Sequence, residues 1–185
     1  MVVLQKFLKK IFVTMLLLTI SGVQYINCAS DPSKTIYTAV FLDQESHIKL
    51  LDMWNSTVPY KSNLGHLYGT HMTLQFAPTQ SEVDALPKGL KTSVYPFIWA
   101  SDLHTCQGVQ VFSPYIKSNN SFSHVTVSTG DHTGAVCTND LIANVYNNSN
   151  KVYSGTFRER FQLNGCVDTF PHSGKCEGFL KRYDQ

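Results

Sequence analysis

Residues 69–76 read GTHMTLQF and residues 123–128 read SHVTVS, and the two stretches share one design. Apolar and polar residues alternate in each, and on an extended strand successive side chains point to opposite faces. His71, Thr73 and Gln75 therefore share one face, and Met72, Leu74 and Phe76 the other. In the second stretch His124, Thr126 and Ser128 face one way, and Val125 and Val127 the other. Each strand is predicted to bury its apolar row and to present an imidazole and a hydroxyl on the opposite side. With 7 histidines in the chain, one H-x-T triplet arises by chance in about every second such sequence, so a single copy says little. Two copies, both on alternating strands, are far more specific.

The rest of the chain is read outward from these strands. Thr35 to Leu42 (TIYTAVFL) is β-branched and aromatic, a strand. Gln44 to Trp54 places Ile48, Leu50, Leu51 and Trp54 at near-helical spacing. Leu67 to Phe76 is the first triplet's strand, stopped by Pro78, and a short helix opens at Ser81 and is ended by Pro87 and Gly89. Leu90 to Ala100 and Val109 to Phe112 read as paired strands, and Ser123 to Thr129 as the second triplet's strand. Thr138 to Tyr146 is a short helix capped by Thr138 or Asn139. Val152 to Phe157 and Phe161 to Leu163 are late strands before a cysteine-bearing tail. The order suggests an α+β domain with two similar lobes. If those lobes set the two polar faces across a groove, two histidines flank two hydroxyls.

Lys6, Lys9 and Lys10 precede an apolar core from Ile11 to Ile20, and Cys28-Ala29-Ser30 supplies small residues beyond it. That is the layout of a secretory signal peptide over residues 1–30, leaving 31–185 as one domain. No second long apolar run follows, so the processed product is expected to be secreted and free of the membrane. Of the 15 basic and 13 acidic residues, three lysines and no acid fall within 1–30, so 31–185 carries 12 basic against 13 acidic side chains. A near-neutral domain has no broad footprint for long duplex nucleic acid. The sequons at Asn55, Asn119 and Asn147 lie in polar stretches and suit glycan attachment. Cys106, Cys137, Cys166 and Cys176 suggest two disulfides, with three pairings open.

Two imidazoles and two hydroxyls on such faces suit phosphodiester hydrolysis. A neutral histidine takes a proton from water and a protonated one gives a proton to the leaving oxygen, each near its ordinary pKa. Threonine hydroxyls stabilise the non-bridging oxygens, so neither metal nor cofactor is required.

The segments HMTLQFAP and SHVTVSTG resemble the paired H-x-T signatures of the two-histidine (2H) phosphoesterase superfamily. More narrowly, the stretch from Tyr37-Thr38-Ala39-Val40 through Ser123-His124-Val125-Thr126 to Asn139-Asp140-Leu141-Ile142 is similar to the cyclic phosphodiesterase domain of fungal-type tRNA ligases and their free-standing relatives. The resemblance implies a bilobal fold, with two antiparallel sheets facing a central groove and helices outside. It implies hydrolysis of a 2′,3′-cyclic phosphate or a related small phosphodiester of a nucleotide or short RNA. Separately from the resemblance, a monomer is expected. Carried over, His71 and His124 are acid and base, and Thr73 and Thr126 contact the phosphate. Tyr37, Gln75 and Ser128 are, apart from the resemblance, candidate substrate contacts. The signal peptide, sequons and cysteines depart from the intracellular RNA-repair members.

Other residues are candidates for further roles. His66, His104, His132 and His172 are candidate zinc ligands, but His66 and His71 on one strand would face opposite sides. Trp99, Tyr115, Tyr37 and Tyr68 are candidate stacking platforms for a base, against the commoner role of aromatic packing. Arg158, Arg160, Lys181 and Arg182 read as solvated. Two alternatives stand beside hydrolysis: a ribonuclease-like transphosphorylase and a catalytically inactive secreted binding or effector domain. Peptide mapping of the secreted protein without reduction should find two disulfides among the four cysteines, with Cys166–Cys176 favoured because it closes a short loop. Four free thiols, or bound zinc, would overturn that reading.

Overall fold

The computed structural model describes residues 34–180. The signal-peptide reading of 1–30 and the basic residues Lys181 and Arg182 lie outside the described residues. The chain order is β1 (Tyr37–Leu42), α1 (Gln44–Thr57), β2 (His66–Leu67), β3 (His71–Phe76), α2 (Gln80–Ala85), β4 (Lys91–Ser101), β5 (Cys106–Phe112), β6 (His124–Thr129), α3 (Cys137–Tyr146), β7 (Tyr153–Thr156) and β8 (Leu163–Phe170). This is an α+β fold with one large antiparallel sheet and few helices.

Local chemistry sets the helices. Asp43 is extended, and its carboxylate accepts the Ser46 N–H at 2.7 Å, which starts α1. Thr79 and Glu82 form a reciprocal capping box at the start of α2. The helix α3 differs from expectation. It begins at Cys137 and its N-cap, Val136, makes no side-chain cap bond. Thr138, expected as a cap, is fully buried in the first turn. The physical reason is the Cys106–Cys137 disulfide, which pins that turn against β5.

The strand order is β2-β6-β3-β1-β8-β4-β5, with β7 on β4 and a further pairing of β6 with β5. The last pairing closes β6-β3-β1-β8-β4-β5 into a ring. Strand β4 makes this feasible by serving two partners within the ring. Its first four residues, Lys91–Val94, pair with β8, and Tyr95–Ser101 pair with β5 across an irregularity between Pro96 and Ile98. Pro96 lacks an N–H to give a ladder, so it suits that position.

The main core lies on one side of the sheet, where Val40, Leu42, Met72, Leu74, Val109, Val125, Val127 and Val167 pack with Leu50, Trp54 and Val58. On the opposite side, Leu141 and Ile142 of α3 pack on Ala100 and Cys106, and Tyr37, Ala39 and Phe41 pack with Phe170 and Phe179. Strand β1 is buried on both faces, which is why its sequence shows no alternation.

Three strand expectations are corrected. The run Leu67–Phe76 is two strands, divided at Gly69, whose φ of +79° is the left-handed region that glycine enters freely. Phe76, expected in the core beside Met72 and Leu74, is 71% exposed because β3 runs past the core. The late strand expected to stop at Leu163 instead begins there and runs to Phe170, between β1 and β4. Its glycine is required by close packing, since a Cβ on Gly165 would lie 2.3 Å from Val40 Cγ1. The second disulfide joins Cys166 in β8 to Cys176 in the segment that follows.

Helix α1 gives the sharpest test of the core. Leu50 is fully buried, whereas Ile48, expected on the same face, is 49% exposed. Leu50→Ala should cost about 2–5 kcal/mol in urea unfolding, and Ile48→Ala no more than about 0.5 kcal/mol. Equal losses would contradict the placement.

Candidate active site

The two H-x-T triplets lie on neighbouring strands. Met72 of β3 is opposite Val125 of β6, and continuing that register sets Thr73 opposite His124. Directly opposite residues share a face. The seam is irregular on the other side of Met72. Tyr68 N–H donates to Val127 O at 2.7 Å and Gly69 N–H to Thr126 O at 2.8 Å. Thr126 adjoins Val125, so the chain entering β3 carries two extra residues, Thr70 and His71, where β6 carries none. This is a β-bulge, a device that re-aims a side chain. Thr70 O accepts the Leu42 N–H at 2.9 Å, and His71 lies opposite Phe41. The bulge thus seats His71 against β1.

There His71 meets rings. Its imidazole stacks on Tyr37 at 5.1 Å and 17°, lies 5.7 Å from Phe41, and its Nδ1 is 3.0 Å from Thr70 Oγ1. Tyr37 is stacked on its other side by Phe170 at 5.0 Å and 13°, and is 6% exposed. Both ring faces are taken, so Tyr37 supports His71 and offers no platform to a base. Trp99, another candidate platform, is 6% exposed and is also packed away.

His124 has a different setting. It is 5% exposed, and its Nδ1 lies 2.8 Å from Phe122 O. A carbonyl only accepts, so Nδ1 carries the proton and, in the neutral ring, Nε2 holds the lone pair. Burial holds the imidazolium below the ordinary histidine value, against a smaller opposite pull from the Phe122 carbonyl.

The hydroxyls differ as well. Thr126 donates to Ala135 O at 3.1 Å, and its oxygen lies 2.8 Å from Thr138 Oγ1. Thr126 has one proton and gives it to the carbonyl, so Thr138 is the donor between the two threonines. The hydroxyl of Thr73 has no hydrogen-bond partner among the described residues, while its carbonyl accepts Ser118 Oγ at 2.8 Å. Gln75 and Ser128 sit at opposite ends of the antiparallel pair. Gln75 Oε1 accepts Asn119 Nδ2 at 2.8 Å, and Ser128 pairs with Leu67 and Gln107. The neighbouring strands carry His71, Thr73, His124 and Thr126 side by side, with Gln75 two residues beyond Thr73 and Ser128 two residues beyond Thr126, at opposite ends.

Two residues on this face escaped sequence reasoning. Asp168 of β8 lies opposite Ala39 and is fully buried. Its Oδ1 accepts the N–H of Thr169 at 2.8 Å, the N–H of Ser173 at 3.2 Å and the Ser173 hydroxyl. His172 Nδ1 is 3.6 Å from Asp168 Oδ2, and its ring lies 4.4 Å from Phe41. The D-x-x-x-H spacing was the available signal, but it fell in a segment read as tail. His66 faces Asp131 at 3.9 Å, and among the described residues no three His, Cys, Asp or Glu side chains converge on a metal site. The three sequon asparagines are all exposed.

No protein-family model matches the chain, and no curated protein matches it. Solved structures do. One, titled "Crystal Structure of Fungal RNA Kinase", superposes with a TM-score of 0.52 at 15% identity, over 71% of this chain and 45% of that one. The present chain therefore spans less than half the length of that neighbour, and the likeness is one of fold.

The setting of His124 fixes a pH dependence. Its folded pKa lies below its unfolded value, so the unfolded chain takes up the proton first as pH falls. The stability linked to its neutral form is present above the ordinary value of about 6.5 and is lost as pH falls from there through the lowered one. Unfolding midpoints measured across this range should fall less steeply in His124→Gln than in wild type. Identical slopes would rule the burial effect out.

Proposed function

We propose that this chain is a secreted phosphodiesterase that opens 2′,3′-cyclic phosphates, or related small phosphodiesters of nucleotides and short RNA, by paired-histidine acid–base catalysis. The observation that carries the reading is the gathering of both triplets on adjacent strands, with Thr73 facing His124 beside the bulge that holds His71. The fold likeness to a structure titled an RNA kinase supports an RNA-type substrate. In this reading residues 1–30 are a signal peptide and 31–185 the enzyme. The two disulfides fit an oxidising compartment, and Asn55, Asn119 and Asn147 carry glycans. A two-lobed form is supported by the double pairing of β4, which joins β1, β3 and β8 with α1 to β5 and β6 with α3.

Neutral His124 is the base: Nε2 takes a proton from the attacking water as the new P–O bond forms. Protonated His71 gives its proton to the departing ribose oxygen as the old P–O bond breaks, leaving a phosphomonoester. Thr73 donates to a non-bridging oxygen. Thr126 does the same once its proton swings from Ala135 O, while Thr138 continues to donate to the Thr126 oxygen. The scheme uses no metal ion or cofactor.

A second reading, a binding domain on the same scaffold, is favoured by one observation: Thr126 spends its proton inward in the structure. Turnover separates the two. With a 2′,3′-cyclic nucleotide, His71→Ala and His124→Ala should each lower kcat roughly a hundredfold or more, and EDTA should leave the wild-type rate unchanged. Near-full activity in either variant defeats the mechanism. A cyclic phosphate that accumulates from short RNA would point to transphosphorylation instead.

A further inference from the structure

The face that carries His124 continues into a patch of aromatic side chains. His124 lies opposite Gln110 of β5, and Phe112, two residues further along, points to the same face. Phe112 is opposite Tyr95 of β4, and the two rings stack at 5.2 Å and 23°. Phe97 meets Phe112 at 6.3 Å and 63°. One strand across and two residues along places the Phe112 Cα about 8 Å from that of His124.

These rings line a cavity of about 440 Å³ together with Arg160 and Gln162. The cavity falls in the size range of small-molecule sites. Its residues are not merely packed together: Phe112 is 51% exposed, and Arg160 is exposed beside it. Gln162 Oε1 accepts the Tyr95 hydroxyl at 3.0 Å, which holds the Tyr95 ring in place. An apolar ligand would have no use for the guanidinium, and a simple anion none for three rings. A flat π-system attached to a phosphate uses both, because bases stack on aromatic rings and guanidinium pairs with phosphate.

We propose that this cavity is the base-binding subsite of the phosphodiesterase. The nucleobase next to the scissile phosphate stacks on Phe112 and Tyr95, and Arg160 meets the phosphate of an adjoining nucleotide. The inference rests on the proposed function for where the reacting phosphate lies. It also fits the near-neutral charge of 31–185, since such a site holds one or two nucleotides and not a long backbone.

The test compares adenosine 2′,3′-cyclic phosphate with the base-less 1-O-methylribose 2′,3′-cyclic phosphate in wild type, Phe112→Ala, Phe112→Trp and Arg160→Gln. The ratio of kcat/KM for the nucleoside substrate to that for the base-less one should fall about tenfold in Phe112→Ala and be retained in Phe112→Trp. Arg160→Gln should raise KM for a cyclic-phosphate dinucleotide more than for the mononucleotide. A ratio unmoved in Phe112→Ala overturns the subsite while leaving the proposed function intact. If wild type hydrolyses neither substrate, the proposed function falls, and calorimetric titration with adenosine 3′-monophosphate then judges the cavity alone. Weakening of about tenfold in Phe112→Ala supports it, and no binding, or equal binding in both proteins, overturns it.

Discussion

The contact of Met72 with Val125 is the single register pair that joins β3 to β6, and the geometry of both triplets depends on it. On one side of it Thr73 faces His124. On the other, the two extra residues of the chain entering β3 are absorbed by a bulge that turns His71 onto β1. A one-residue slip would exchange the faces of β3, sending His71 and Thr73 into the core and Met72 and Leu74 out of it. Full burial of a large apolar side chain contributes roughly 1.5–3 kcal/mol. The apolar cluster around Met72, Leu74, Val125 and Val127 therefore holds the polar face in register from behind.

The triplets are alike in sequence and unlike in surroundings. His124 is almost wholly buried, with Nδ1 committed to a carbonyl, whereas His71 is half-buried and braced by rings on β1. Thr126 is enclosed beneath α3 by Thr138, and that contact continues to the Cys106–Cys137 disulfide, since Cys106 Sγ lies 3.4 Å from Thr138 Oγ1. Thr73 has no such enclosure. Here a helix, a disulfide and an aromatic stack supply the difference.

Much of this was legible in the sequence because alternation reports a half-buried strand directly. The face assignments of Met72, Leu74, Val125 and Val127 follow from it. The bulge was not legible, because register depends on a partner strand some fifty residues away. Strand β8 was missed for a related reason. Asn164, Gly165 and Asp168 have poor strand propensity, and only pairing on both sides makes that segment a strand. With β8 unseen, Asp168 and His172 could not be placed on the face of His71. Thr138 looked like a cap because threonine commonly caps helices, but its hydroxyl is used across the sheet instead.

Ring closure also bears on how the molecule behaves when crowded. A strand with an unpaired row of N–H and C=O groups is a template for another chain, and β-rich proteins guard such rows. Among the described residues the six longer strands are each flanked on both sides, and the strands outside the ring are β2, of 2 residues, and β7, of 4 residues. Neither presents enough backbone to seed a long intermolecular ladder. The fold thus limits self-association by topology, leaving its exposed aromatic residues free to face solvent without inviting stacked sheets.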